Sequence, residues 1–293
     1  MKKIFFEKRN KCPLCNSKKF DLIFSKTFDE IRAKNFFKLH LNNKFPFKIL
    51  DKANYELSEC KKCKMIFQNN ILNKKYTMKY YNNYIDHNLV KKKNESRIEN
   101  NELKNEIELI SKIFKDKNIK ILELGAGLGT WILSLKKKNF QNISAIEISK
   151  KRRVFLSKKN IKSYSDLRFL KKKKFDLIYS DQTLEHLSKP RKILNELIKL
   201  LKKNGILIIK VPSGAFIKKK LKKNYYAQND EAIPLEHINI FTNNSINYMK
   251  SFYKLKKINL CNYFKINEFM FYKYLASDIY HKLFGKKFFF KKL

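Results

Sequence analysis

Between Ile119 and Cys261 the apolar positions fall into short continuous runs separated by lysine-rich polar stretches. The runs "IKILEL", "ISAIEI", "IKSYS", "FDLIYSD" and "GILIIKVP" are too short for helices and rich in β-branched and aromatic residues, so they predict buried strands. Between them "GTWILSLKKK", "KKRRVFLSKK" and "PRKILNELIKLLKK" repeat apolar residues at helical spacing. Strand and helix in alternation predict an α/β fold, a mostly parallel sheet with helices on both faces in a Rossmann-like arrangement. Pro190 stands near the start of the last of these helices and Gly205 follows its basic end, the usual punctuation.

Upstream the pattern changes. Residues 1–70 hold only short apolar pieces such as "FDLIF" and "MIFQ", as expected of a small separate module. Residues 71–115 form a tyrosine-rich linker, "YTMKYYNNYIDH", followed by "ESRIENNELKNEIELISKIF", whose apolar spacing predicts a connecting helix. Residues 116–293 make up the larger domain, ending in a basic and aromatic tail, "YHKLFGKKFFFKKL". The tail reads as a helix packed on the core or as a weak membrane-surface contact. With 293 residues, 43% of them hydrophobic, the chain can fill one large core and one small one.

Candidate chemistry begins at "ILELGAGLGTW", which places three of the six glycines, Gly125, Gly127 and Gly129, with Ala126 among them, directly after a strand. Glycines at alternate positions of a strand-to-helix turn let a ligand come close to the main chain, and the G-x-G-x-G spacing differs from the G-x-G-x-x-G of dinucleotide folds. Glu123 precedes the turn, where a buried carboxylate profits from a cationic ligand. Glu147 ends the next strand, 18 residues beyond Gly129, where a carboxylate can accept hydrogen bonds from two ribose hydroxyls. Asp166 follows the third strand in "SYSDL", within reach of an adenine amino group, and Asp181 ends the fourth.

Together these positions resemble the class I S-adenosylmethionine-dependent methyltransferases. "ILELGAGLGT" is similar to their first motif, "AIEIS" to the second, "SDL" to the third and "FDLIYSDQTLEHLSKP" to the fourth, in order along residues 119–212. The resemblance implies that Glu123 orients the methionine end of S-adenosylmethionine, that the glycines pass close to it, and that Ile148 packs on the adenine.

Two glutamate-histidine pairs follow. In "TLEHLSKP", His186 comes beside the expected path of the methyl group; it is read either as steering or deprotonating a substrate or as a structural or cofactor-side residue. In "IPLEHINIFT", His237 is the candidate base, titrating near neutrality, with Glu236 to orient its ring; the bland alternative is a histidine that caps the helix starting at "FTNNS". The chain is similar to sugar C-methyltransferases, in which such a pair serves the active site with a tyrosine three residues before the histidine. Here that position is Pro234, which leaves O- or N-methylation open. Tyr81 and Tyr84, in a patch with Tyr76 and Tyr80, are the aromatic candidates for covering the cofactor or touching the acceptor.

"CPLC" and "CKKC" supply Cys12, Cys15, Cys60 and Cys63, with 44 residues between the pairs. Two such turns can hold four thiolates around Zn²⁺, which leaves no position for substrate and makes the metal structural. Thioredoxin-like redox chemistry would need one pair at a helix start within a strand-helix-strand unit, and neither pair is so placed. The sugar C-methyltransferases resembled here carry an N-terminal zinc-binding domain of this kind, and from its length the chain is expected to lack most of their extra C-terminal domain. Cys261 stands alone as a small core residue.

The formal net charge of +41 raises nucleic acid as a partner. Only seven of the 67 basic residues are arginine, and the lysines are spread along the chain, as in a solvated surface of drifted composition. Lysine runs at 171–174 and 217–223 suit an anionic small molecule. No apolar run is long enough to span a bilayer, and paired cysteines in a reducing compartment favour a metal over disulfides, so a cytoplasmic setting is expected. The expected function is methyl transfer from S-adenosylmethionine to a small acceptor, foremost a sugar nucleotide precursor of surface polysaccharide. The rivals are an RNA or protein methyltransferase and a non-catalytic module that binds the cofactor. Nothing in the sequence speaks to oligomeric state.

Overall fold

The computed structural model describes residues 5–39, 41, 42, 44–86, 92, 95, 96, 101–258 and 285–292. Its strands in chain order are β1 (Phe6–Lys8), β2 (Phe20–Thr27), β3 (Asn54–Cys60), β4 (Ile66–Gln68), β5 (Asn70–Leu72), β6 (Ile121–Leu124), β7 (Ile143–Ile146), β8 (Lys162–Tyr164), β9 (Phe175–Asp181), β10 (Leu201–Pro212), β11 (Asn239–Ile240), β12 (Leu255–Lys257) and β13 (Gly285–Lys292). Contacts divide the chain into two units, each discontinuous in sequence. One comprises residues 1–90, 184–191 and 212–249, the other residues 91–183, 192–211 and 250–293.

The second unit is built on a seven-stranded sheet of order β12-β13-β10-β9-β6-β7-β8. β6 pairs in parallel with β7 on one side and β9 on the other, and β7 with β8 and β9 with β10 are also parallel. The chain therefore winds outward from β6 to β8 and then returns to the far side of β6. That reversal opens a crevice at the carboxyl ends of β6 and β9, the usual ligand position of such sheets. Helices Thr130–Lys136, Lys150–Lys158 and Pro190–Leu200 connect the parallel strands. Helix Asn101–Ile113 turns Leu103, Glu106, Ile107 and Ile110 inward at helical spacing, and its apolar residues join a core with Ile121, Trp131, Leu177 and Ile208.

Two sequence expectations change here. The helix beginning at Pro190 stops at Leu200, and Leu201 already pairs with Phe175 in the sheet. Lys202 Nζ reaches Asp176 at 2.8 Å, and the register shifts between Leu201 and Ile206, with Asn204 at φ 61°. Gly205 therefore belongs to a strand irregularity and not to a helix end. The tail, expected as a helix, forms β13 over Gly285–Lys292, antiparallel to β12. Pairing with β12 makes it a strand, and Phe288 and Phe290, two residues apart and so on one face, are both buried. Cys261 and residues 280–284 lie outside the described residues.

The first unit holds a four-stranded antiparallel sheet of order β11-β4-β3-β2 and a two-stranded pair, β1 with β5. Its core gathers Phe28, Phe37, Phe45, Tyr55, Leu57 and Tyr80 with Ile217, Tyr225, Ile233 and Ile240. The tyrosine-rich stretch is helical. Asn73 caps helix Lys74–Lys79 by accepting the Tyr76 N–H at 3.0 Å, and one wider turn, Tyr80–Tyr84, follows. Among the described residues no helix is long and apolar enough to cross a membrane.

Candidate active site

The glycine turn follows β6, and all three of its glycines have positive φ, 77° at Gly125, 58° at Gly127 and 75° at Gly129. Side chains strain in that region, which is one reason for glycine. Contact is the other. A Cβ on Gly125 would come within 2.2 Å of Thr183 Oγ1, whose hydroxyl donates to the Leu124 and Asp181 carbonyls, while a Cβ on Gly127 would meet no protein atom within 4 Å.

Glu147 is buried, and its carboxylate bridges two elements: Oε2 accepts the Gly127 N–H at 2.8 Å and Oε1 the Ser149 N–H at 2.8 Å. Arg153 Nη1 closes this strand tip by donating to the Glu147 and Ile148 carbonyls at 2.7 Å, and the Ile148 side chain is half exposed. Glu123 is buried in β6, in register with Ala145 and Tyr179. Asp166 caps the turn Leu167–Leu170 through the Arg168 N–H and pairs with the Arg168 guanidinium at 3.0 Å. These contacts, the side-chain one foremost, hold its carboxyl below the ordinary range.

Asp181 belongs to a buried network that the sequence did not announce. Lys210 Nζ stands 3.4 Å from both Asp181 and Glu106. Tyr179 donates to Asp181 at 3.0 Å and Trp131 Nε1 to Glu106 at 3.2 Å, while the Trp131 and Tyr179 rings stack 3.9 Å apart.

In the other unit both glutamate-histidine pairs come together, although they lie about 50 residues apart. His186 Nδ1 meets the Glu236 carbonyl at 2.9 Å and His237 Nδ1 the Asp230 carbonyl at 2.6 Å, with ring centroids 5.0 Å apart. A carbonyl only accepts, so each Nδ1 carries the hydrogen and each Nε2 keeps its electron pair. Burial lowers the pKa of both imidazoles, that of His237 well below the ordinary value with the neighbouring His186 adding to the shift. The Tyr81 ring lies edge-on to His186 at 6.1 Å. Tyr80 donates to the Glu236 carboxylate at 2.7 Å. Tyr84 packs on Phe45 instead. The helix at Asn243 is capped by Thr242, whose Oγ1 accepts the Ser245 N–H, so His237 has no capping part.

The loop carrying His237 is held by Gln68, which sequence reasoning overlooked. Its amide donates to the Ile233 and His237 carbonyls and accepts the Leu235 N–H, and Leu235 sits at φ 64°, a left-handed conformation that leucine adopts only under constraint. No local signal marks Gln68 or Tyr80; both act on residues more than 150 positions away.

The four cysteines converge. Cys12 and Cys63 sulfurs lie 3.5 Å apart and Cys15 and Cys60 sulfurs 3.4 Å apart, all buried. Two matching turns create this: the Asn16 N–H bonds the Cys12 carbonyl, the Lys64 N–H bonds the Cys60 carbonyl, and Asn16 and Lys64 both have positive φ. A hydrogen bond from Cys63, with backbone N–H groups of Cys15 and Leu14, brings the Cys12 thiol down to about 6, whereas burial pushes Cys15 up to about 12. Sulfurs at such separations suit one tetrahedral ion, for which ligand lengths near 2.3 Å imply spacings of roughly 3.8 Å.

A family-wide sequence model described as a methyltransferase domain matches residues 96–249, more than half of the chain. The chain belongs to the methyltransferase-domain family. Among solved structures it is similar to the plantazolicin methyltransferase BamL in complex with a triazolic desmethylPZN analog and SAH. The two are 16% identical, with 70% of this chain and 90% of that one covered at a TM-score of 0.51. The related BpumL in complex with SAH is 15% identical over 74% of this chain and 94% of its own, at 0.47. An S-adenosylmethionine-dependent methyltransferase from Clostridium acetobutylicum ATCC 824 is 15% identical over 64% and 91%, at 0.44. Such identities speak to the fold. Among curated proteins the chain has no match. This methyltransferase is thus a class I, S-adenosylmethionine-dependent enzyme with a Rossmann-like sheet. The matched span contains the glycine turn, the strand-tip acids and both histidine pairs, and leaves the cysteines outside.

Proposed function

We propose that this methyltransferase acts on a small acceptor, a sugar nucleotide or related precursor of surface polysaccharide, by C- or O-methylation. Two features support the reading beside the sequence resemblance to sugar C-methyltransferases: the four-cysteine cluster in residues 1–70 and, above all, the meeting of His186 with His237. Residues 71–115 are then the linker and residues 116–293 the transferase domain. S-adenosylmethionine supplies a methyl group made electrophilic by its sulfonium. Glu123 orients its methionine end, and the turn Gly125, Ala126, Gly127 and Gly129 passes close to it. Glu147 accepts from the ribose with the lone pairs left over from Gly127 and Ser149. Ile148 packs on the adenine, Asp166 meets its amino group, and Asp181 closes the cofactor side.

At the acceptor end His237, its Nδ1–H fixed on Asp230, takes the acceptor's proton on Nε2. Glu236, held by Tyr80, and His186, flanked by Tyr81, position the acceptor. The cysteines hold a structural Zn²⁺, in keeping with the reducing cytoplasm.

Calorimetry with SAH and labelled-methyl transfer to a panel of sugar nucleotides test this. Binding of SAH with transfer to one of them is expected. Transfer to RNA or protein instead, with steeply salt-dependent binding, would move the acceptor to a macromolecule, as the +41 charge allows. Binding without transfer to any acceptor would leave a cofactor-binding module.

A further inference from the structure

Glu185, His186 and His237 bring one carboxylate oxygen and two imidazole nitrogens within 4.8 Å of one another. His186 Nε2 stands 3.8 Å from Glu185 Oε1, and Glu185 and His237 are buried. These are also the two histidines found among the described residues. In each, Nδ1 donates to a backbone carbonyl, which fixes the ring and leaves the Nε2 electron pair for a ligand, and His186 Nε2 is the nitrogen that faces Glu185. A metal-ligating histidine shows this same division, one nitrogen anchored to a carbonyl and the other on the ion. Ligand lengths near 2.0–2.1 Å put donor atoms roughly 3 to 3.5 Å apart, so atoms now within 4.8 Å of one another close by up to about 1.3 to 1.8 Å at the widest pair.

We propose that Glu185, His186 and His237 form a second metal site, separate from the four cysteines, which holds a divalent first-row transition metal with positions open to an oxygen of the acceptor. Two imidazoles and one carboxylate suit Mn²⁺, Fe²⁺ or Zn²⁺, and three protein ligands leave coordination positions free. The four cysteine sulfurs prefer a softer, closed coordination, so the two sites divide metals by donor type. This inference rests on the acceptor end being at the histidine pair and narrows the acceptor to one with a hydroxyl, carboxylate or enol oxygen. In the loaded protein the cation takes the Nε2 electron pairs, and the bound acceptor oxygen loses its proton to solvent. In the metal-free protein His237 alone receives it.

The neighbouring chain favours a defined geometry. Gln68 fixes the loop of His237 through three hydrogen bonds, and Asn239 Nδ2 donates to the Leu184 and Leu187 carbonyls on either side of the Glu185–His186 pair. Both ligand-bearing segments are thereby clamped by amide side chains.

The test uses the full chain, treated with a mild chelator, with zinc in the cysteine cluster verified by elemental analysis, and titrated with Mn²⁺ followed by electron paramagnetic resonance. One Mn²⁺ per chain is expected. His186→Asn, His237→Asn and Glu185→Gln should each weaken it at least tenfold while zinc content and SAH binding stay at wild-type levels. Asparagine keeps a polar group where the imidazole stood, and circular dichroism confirms folding of each variant. Absence of Mn²⁺, Fe²⁺ and Zn²⁺ binding beyond the cysteine equivalent would overturn the proposal, as would undiminished binding in all three variants. Loss of SAH binding in the wild-type chain would instead strike the cofactor assignment, so the two failures are distinguishable.

Discussion

The Glu147 carboxylate accepts the Gly127 N–H at 2.8 Å, so one side chain at the tip of β7 holds the glycine turn that follows β6. The turn's own backbone adds to the link, since the Gly125 and Ala126 N–H groups both reach the Ile146 carbonyl. Replacing Glu147 by alanine removes a charge-assisted acceptor from two N–H groups and, in the proposed reading, from the ribose. SAH affinity should fall at least tenfold, about 1.4 kcal/mol. Glu147→Gln, which keeps one acceptor oxygen, should lie between. Calorimetry on the two variants decides, and unchanged affinity in Glu147→Ala would remove the ribose assignment.

Gly125 and Gly127 separate two roles of glycine. Both have positive φ, but only at Gly125 would a Cβ collide with Thr183. Gly125→Ala should therefore lose stability by more than the roughly 1–2 kcal/mol of backbone strain, and Gly127→Ala by no more than that. If the turn at Gly127 lies against the cofactor, Gly127→Ala should still weaken SAH binding severalfold despite its mild unfolding curve. Denaturant titration beside calorimetry separates the two.

Lys210 compensates two carboxylates, Glu106 and Asp181, in a site where all three side chains are under one-tenth exposed. Removing one partner of a buried ion cluster leaves uncompensated charge. Lys210→Met should lower the unfolding free energy by about 3 to 5 kcal/mol, and Glu106→Gln added to it should regain part of that loss. Additive losses in the double mutant would mean that the three groups are not coupled.

Gln68 and Leu235 make a linked pair, the amide oxygen of the one accepting the N–H of the other at 3.1 Å. Gln68→Ala should release the loop carrying His237, lowering kcat while SAH affinity stays unchanged. Leu235→Gly relieves the left-handed backbone but removes a buried core side chain, so it should lower stability by about 2 to 4 kcal/mol. Unchanged or raised stability in Leu235→Gly would show that backbone strain outweighs the packing of this side chain, which is 5% exposed.

The cysteine cluster should hold one zinc per full chain. Cys60→Ser should reduce zinc below stoichiometry and lower stability by several kcal/mol, because metal binding free energy is also folding free energy at such a site. Zinc and unfolding temperature unaffected by Cys60→Ser would count against a metal there.

The parallel sheet, the glycine turn and the two cysteine turns were legible in the sequence because each rests on local rules. Apolar runs of strand length, helical spacing and backbone that only glycine adopts readily are set by neighbours a few residues apart. Phe288 and Phe290 show where that reading fails: the run "FFF" carries no strand period of its own, and only pairing with β10 and β12 makes it a strand. Local rules are also silent on encounters across long stretches of chain. Cys12 meets Cys63, His186 meets His237, Tyr80 reaches Glu236, and Lys210 joins Glu106. These contacts repay the entropy of closing their loops only through the burial and hydrogen bonding of the finished fold. The sequence by itself thus determined the elements and the residue types available for chemistry. Tertiary packing alone decided which of those residues share a site.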